Sequence, residues 1–395
     1  MGNELTEGPV TKSMLRFAVP IILGDLLQQC YNIADTVIVG RFLGADALAA
    51  VGSSFSLMTF LTSILLGLAM GSGTVFSIRF GQKDRKALKE CVLASFVLLF
   101  AVTVFLMAVI FAGIDKIIWC LRTPGELETL MKEYLIVIFA GMFGIFLYNF
   151  FAALLRSLGN SVVPLIFLAV SAGLNIGLDL WFVAGLEWGV AGAAGATVIS
   201  QYVSGIGIAV YTRVRFPELI RKEKGIRLRK ERIREITGFS ALTCLQQSIM
   251  NLGILAVQGL VNSFGTTIMA AFAAAVKIDA FAYLPVQDFG NAFSVFVAQN
   301  YGAGKKDRIQ KGIRSVVKVS AGFGLLISLL VVIFARPLMT LFIDAREAAV
   351  VALAYGLAAI PSVGVTGIWC SVPIGWFLAD ALGTGYYLFW KKKRH

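Results

Sequence analysis

The chain has 395 residues, of which 58% are hydrophobic and only 15% charged, and its mean hydropathy is +0.81. An ordinary soluble domain carries about 25% charged residues, so a soluble globular core is excluded and an all-α integral membrane protein is expected. The formal charge of +12 would suit a nucleic-acid binder if the cations formed a stripe, but they alternate in step with apolar runs, and no nucleic-acid partner is expected.

Crossing about 30 Å of hydrocarbon takes about 20 apolar residues. In chain order such runs are predicted near 14–39, 47–77, 91–114, 134–155, 162–184, 190–212, 238–262, 267–299, 315–335 and 362–390. The run 348–360 is shorter than a span and stops at Pro361, which reads as a re-entrant, interfacial or remnant segment. The polar start, 1–12, leads straight into a run too long for a cleavable signal peptide, so none is expected.

Most of the 35 Lys and Arg fall in alternate loops: 12–16, 79–89, Arg156, 213–234, 305–318 and 391–394. That asymmetry obeys the positive-inside rule and predicts a multi-pass protein with both termini and the 213–234 loop in the cytoplasm. The basic loop is also suited to anionic lipid head groups, although setting topology is its simpler role. Cys30, Cys91, Cys120, Cys244 and Cys370 stand singly with no CxxC, so neither disulfides nor zinc sites are expected. The single histidine, His395, excludes an imidazole relay, and any proton must travel on carboxylates.

An internal repeat organises the chain. Leu27-Gln28-Gln29 returns as Leu245-Gln246-Gln247, and Gly44 to Ala50 as Gly265 to Ala271. FGQKDR at 80–85 is echoed by YGAGKKDR at 301–308, and Gly189-Val190-Ala191-Gly192 by Gly364-Val365-Thr366-Gly367. An even number of predicted spans separates the copies, so they run the same way through the bilayer, with a solute site expected between them. The predicted organisation is a six-helix bundle over 1–212, a basic linker over 213–235 and a second bundle over 236–395. The second copy is short: Tyr134 to Gly189 is 55 residues, whereas Tyr355 to Gly364 is 9, a shortfall of about 46.

An Asp at mid-bilayer costs about 2.5–3.5 kcal/mol on insertion scales, so one that persists there usually faces a cavity. In the first span Asp25, Gln28, Asn32 and Asp35 occur at intervals of three and four, stacking them along one face. Asn175 and Asp179 lie four apart in the fifth span, and the sixth opens with small residues, Gly189 to Ala196, leading to Thr197. Close helix approach there would let these oxygens converge on a proton or a hard cation such as sodium. The equivalent stripe in the second half, Gln247, Asn251 and Gln258, has no carboxylate, so ion-coupling charge is concentrated in the first half. Asp288, and Lys277 with Asp279, are secondary candidates. Pro20 removes a backbone hydrogen bond inside the first span and is the expected hinge. No P-loop and no nucleophile-base pair is found, so neither ATP-driven pumping nor an embedded enzyme is expected.

The run RFAVPIILGDLLQQCYNIADTVIVGRFLGADALAAVG, the two post-span motifs, LRSLGNSVVP and GVTGIWCSVPIGW together resemble the multidrug and toxic compound extrusion (MATE) family, and within it the branch named after the DNA-damage-inducible F protein. The resemblance implies two related bundles in a V shape, here six helices and then about four plus a short segment. It implies a monomeric bacterial inner-membrane antiporter, not an enzyme, exporting amphiphilic or cationic organic solutes against protons or sodium, with no cofactor beyond that ion. By position it assigns the hinge to Pro20 and ion binding to Asp35, Asn175, Asp179 and Thr197. Gln28, Asn32, Gln247 and Asn251 are expected to line the solute path. Two other readings are a flippase for lipid-linked precursors and a non-transporting remnant.

Overall fold

Within hydrocarbon every backbone N–H and C=O must be satisfied inside its own segment, which leaves the helix as the solution for so apolar a chain. The computed structural model describes residues 5–120, 125–220, 227–262 and 266–340, and no strand occurs among them. The helices are α1 (Val10–Leu43), α2 (Ala45–Gly81), α3 (Arg85–Cys120), α4 (Gly125–Ala140), α5 (Met142–Ser157) and α6 (Val162–Asp179). A π-helical turn, Leu180–Gly185, succeeds α6, and then come α7 (Gly189–Arg215), the single turn α8 (Pro217–Ile220), α9 (Lys230–Asn262), α10 (Thr266–Gly302) and α11 (Lys306–Thr340). The apolar runs predicted between 14 and 335 fall on these helices; those at 348–360 and 362–390, with the shortened stretch of the repeat, lie outside the described residues. Compact packing groups Met1–Gly253 with Phe281–Leu325, and Ile254–Ala280 with Leu326–His395. The first of these units holds Asp25, Asp35, Asp179 and Asp288.

Among the described residues Asp46–Gly81, Arg85–Ile118, Val162–Gly185 and Gly189–Arg215 are long and apolar enough to cross a membrane, and α4 with α5 makes a fifth span if counted as one helix bent by 41°. That bend departs from the uninterrupted span predicted over 134–155, and glycine explains it. A Cβ at Gly144 would stand 2.9 Å from the Gln201 carbonyl carbon, and one at Gly205 2.6 Å from the Gly144 oxygen. Bare backbone lets α5 lie directly on α7, and α4 must turn at Gly141 to stay with it. α1 is 34 residues long, yet its stripe of Asp25, Gln28, Gln29, Asn32 and Asp35 makes it the polar member of the bundle.

The repeat is visible as a contact. A Cβ on Gly81 would collide with the carbonyl oxygen of Gln299, and one on Gly302 with that of Ile78. Gly81 and Gly302 are equivalent positions in the two copies, and so are Ile78 and Gln299, which is the reciprocity a two-fold relation demands. Both α2 and α10 bring their C-terminal ends to this crossing, so the copies run in the same direction. The turns after them also match: Lys83 (φ 58°) and Gly304 (φ 71°) are both left-handed, a conformation natural to glycine and strained for lysine.

Charges gather at this end of the unit, the basic end. Arg232 Nη1 bonds Glu235 Oε2 at 3.1 Å and its Nε faces Glu90 Oε2 at 3.4 Å, while Arg79 pairs with the other Glu235 oxygen. Residues 5–8 form a strap across the same end. Gln299 Oε1 accepts from Leu5 N at 3.1 Å, and Arg308 donates to the carbonyls of Leu5, Glu7 and Gly8. Gln299 Nε2 also donates to Ser157 O at 2.7 Å, tying α10 to the end of α5.

Replacing Gly302 with leucine forces a side chain into a carbonyl. The substitution is expected to cost about 3 kcal/mol, measured as a lower melting temperature of the purified protein in detergent, whereas an unchanged melting temperature would refute the crossing.

Candidate functional site

Asp35 and Asp179 meet where α1 lies along α6. The two helices are already in contact at Gly24, which is buried against Leu165 and Leu168 of α6. Asp179 is the last residue of α6, immediately before the π turn. Wider turns of this kind are common where a helix re-aims a side chain at a functional position. The chain then reverses through Glu187 (φ 55°) and Gly189 (φ 63°) into α7. Small residues at the start of α7, among them the buried Gly192, Ala193 and Ala196, keep it close to α6. Thr197 is thereby set beside Asn175, whose Nδ2 donates to Thr197 Oγ1 at 3.3 Å.

The arrangement is oxygen-rich and dry. Asn175 is 2% exposed and Asp179 0%. The carboxylates of Asp35 and Asp179 lie within each other's electrostatic reach. Asp35 Oδ1, Asn175 Oδ1 and both Asp179 oxygens are buried without a hydrogen-bond partner, and among the described residues no salt bridge neutralises either acid. Three unsatisfied carboxylate oxygens and one unsatisfied amide oxygen are a costly arrangement that a proton or a small hard cation would relieve. No group of three or more metal-ligating His, Cys, Asp or Glu occurs among the described residues.

The four residues assigned to ion binding thus converge. Two further groups, not anticipated, join them: Tyr31 is in electrostatic reach of Asp35, and the buried Tyr134 of both acids. Tyr31 precedes Asp35 by four and so shares its helix face, a signal the spacing carried. Tyr134 arrives from α4 and gave none. The single polar stripe expected on α1 is divided by the fold, because Asp25 turns instead towards Asp288 of α10. Gln28 is exposed, and Asn32 Nδ2 bonds Gln29 Oε1 at 3.3 Å. Gln247 is buried in α9, and the Asn251 side chain, like Lys277 and Asp279, lies outside the described side chains. Pro20 is half-buried inside α1, which continues through it.

The MatE family model matches residues 20–181 and 243–378. The probable multidrug resistance protein YpnP of Bacillus subtilis is 29% identical over 351 residues, 87% of this chain and 77% of that protein. YoeA of the same organism, also described as a probable multidrug resistance protein, is 27% identical in an alignment of 442 positions covering 98% of this chain and 95% of YoeA. Among solved structures, a MOP superfamily transporter from Pyrococcus furiosus superposes with a TM-score of 0.82 at 25% identity, covering 88% of this chain and 77% of that one.

Because two carboxylates face each other, Asp179→Asn is expected to stabilise the protein by about 0.5–2 kcal/mol at alkaline pH, where both are ionised, read as a higher melting temperature in detergent. A lower melting temperature would show that the carboxylate is held by favourable contacts instead.

Proposed function

This chain belongs to the MatE family of membrane transporters, and we propose that it is a secondary antiporter exporting amphiphilic or cationic organic compounds in exchange for protons or sodium. The observation that carries this reading is the convergence of Asp35 and Thr197 on the buried Asn175 and Asp179, with unsatisfied oxygens on Asp35, Asn175 and Asp179 that gain most from one bound cation. Binding there would remove the repulsion between α1 and α6 and change how α1 packs. That gives the ion differential affinity for two arrangements of the same helix, which coupling requires. Tyr31 and Tyr134 supply hydroxyls able to donate to whichever carboxylate remains ionised.

Topology gives the direction of exchange. If the basic end faces the cytoplasm, as the positive-inside rule argues, an ion entering from the opposite side runs down the bacterial proton or sodium gradient and drives the solute outward. We further infer that the second half of the chain is shortened relative to the first: YoeA spans 442 aligned positions against a chain of 395, in keeping with the unequal spacing of the repeat.

Efflux of a fluorescent organic cation from cells expressing the chain tests this reading, with protonophore and sodium varied independently. Asp35→Asn is expected to abolish coupled efflux while leaving membrane insertion intact, and the gradient whose collapse stops the parent protein identifies the ion. Full efflux by Asp35→Asn would refute the assignment. No efflux by a well-inserted parent would favour a remnant or a different solute, such as a lipid-linked precursor.

A further inference from the structure

A second charge cluster, centred on one buried acid, meets α1 ten residues nearer the basic end than Asp35, or about 15 Å along the helix axis. It brings together Asp25 of α1, Arg156 and Tyr148 of α5, and Asp288 and Asn291 of α10. Asp288 is 2% exposed, and its Oδ2 is buried without a hydrogen-bond partner. Asp25 and Asp288 stand within hydrogen-bonding reach of each other, and Arg156 is close enough to act on Asp288. The Nε of Arg156 is itself buried and unpartnered. Tyr148 sits in the electrostatic reach of Asp25 and Arg156, and its hydroxyl donates to Pro164 O at 3.1 Å.

Charge arithmetic distinguishes this cluster from the first. Two ionised carboxylates against one guanidinium leave one uncompensated negative charge beside the buried Asp288, which is unfavourable. One added proton neutralises the set. It would be shared as an O–H of one acid donating to a carboxylate oxygen of the other, with Arg156 balancing the one negative charge that remains. A metal cation is less suited, because the guanidinium already supplies a positive charge.

The cluster also stands at a mechanical junction. Met14, Phe17, Ala18 and Ile21 of α1 pack with Phe289, Ala292 and Phe296 of α10, so over this stretch α1 is held to α10. We propose that Asp25 and Asp288, positioned by Arg156, form a second protonation site that takes one proton from the aqueous phase at the basic end and fastens α1 to α10 there. With the proton shared, a hydrogen bond joins the helices. When the proton returns to the same phase, two like charges face each other and the clasp loosens. Because both acid pairs use α1, occupancy of one alters the helix that the other must bind. That role in the transport cycle rests on the antiporter reading above; the protonation site itself does not.

Infrared spectroscopy separates the two. In the purified Asp35→Asn/Asp179→Asn protein the first pair is gone, and the pH-induced difference spectrum is expected to retain a carboxylic-acid C=O band from the second. Adding Asp288→Asn, or Asp25→Asn should that protein fail to fold, is expected to remove or shift the band. A spectrum unchanged by both substitutions, or a background protein with no such band, would overturn the proposal. In the transport arm, Asp288→Asn with the first pair intact is expected to slow efflux about tenfold, the effect of losing one charge-assisted hydrogen bond of about 1.4 kcal/mol. A responding band together with no efflux by the unsubstituted protein would leave the second site standing and reject the antiporter reading, whereas normal efflux by Asp288→Asn would remove the site from the cycle.

Discussion

The crossing of α2 and α10 sets the rest of this unit. Gly81 and Gly302 each press bare backbone against a carbonyl of the other helix, and no side chain can be inserted without separating them. Once α10 is fixed at that distance, Gln299 reaches both Ser157 and Leu5, Arg308 reaches the strap, and Asp288 arrives opposite Asp25. The contact is reciprocal because the two glycines are copies of each other. A duplicated helix end packed against its twin needs only one solution to the steric problem, applied twice.

α1 then divides its polar residues between two neighbours. Near the basic end its apolar residues pack with those of α10 and Asp25 meets Asp288; further along, Asp35 meets Asp179 of α6. A helix stabilised by apolar packing alone would hold one position firmly. A helix that sets an acid against a buried acid of its neighbour at each of two junctions has a packing energy that depends on whether those pairs are neutralised. Marginal stability at these junctions and a capacity to respond to an ion are therefore the same physical property, and Pro20, between the strap and both acids, sits where the backbone ladder is already interrupted.

The sequence carried much of this. The apolar runs, the alternation of basic loops and the duplication are one-dimensional signals, and each arises from a constraint that acts on every residue of a segment: hydrocarbon thickness, membrane insertion, common ancestry. Asp35, Asn175, Asp179 and Thr197 were legible because a carboxylate within an apolar run is expensive enough to stand out against its neighbours, and the resemblance to a known family pointed to the same residues.

What only the tertiary structure decided was which polar groups share a neighbour. Spacing put Asp25 and Asp35 on one stripe, but ten residues at about 100° apiece leave them facing different ways, and packing then assigned one to α10 and the other to α6. Tyr134 and Arg156 carry no mark of their roles, since each comes from a helix remote in sequence and gains its meaning from the acid it meets. The bend at Gly141 likewise goes with a partner, α7, whose Val198 and Gln201 side chains press on that glycine. The chain by itself fixes how much polar surface each helix must hide; the distance between helices, set by glycines on both sides of a contact, determines against what it is hidden.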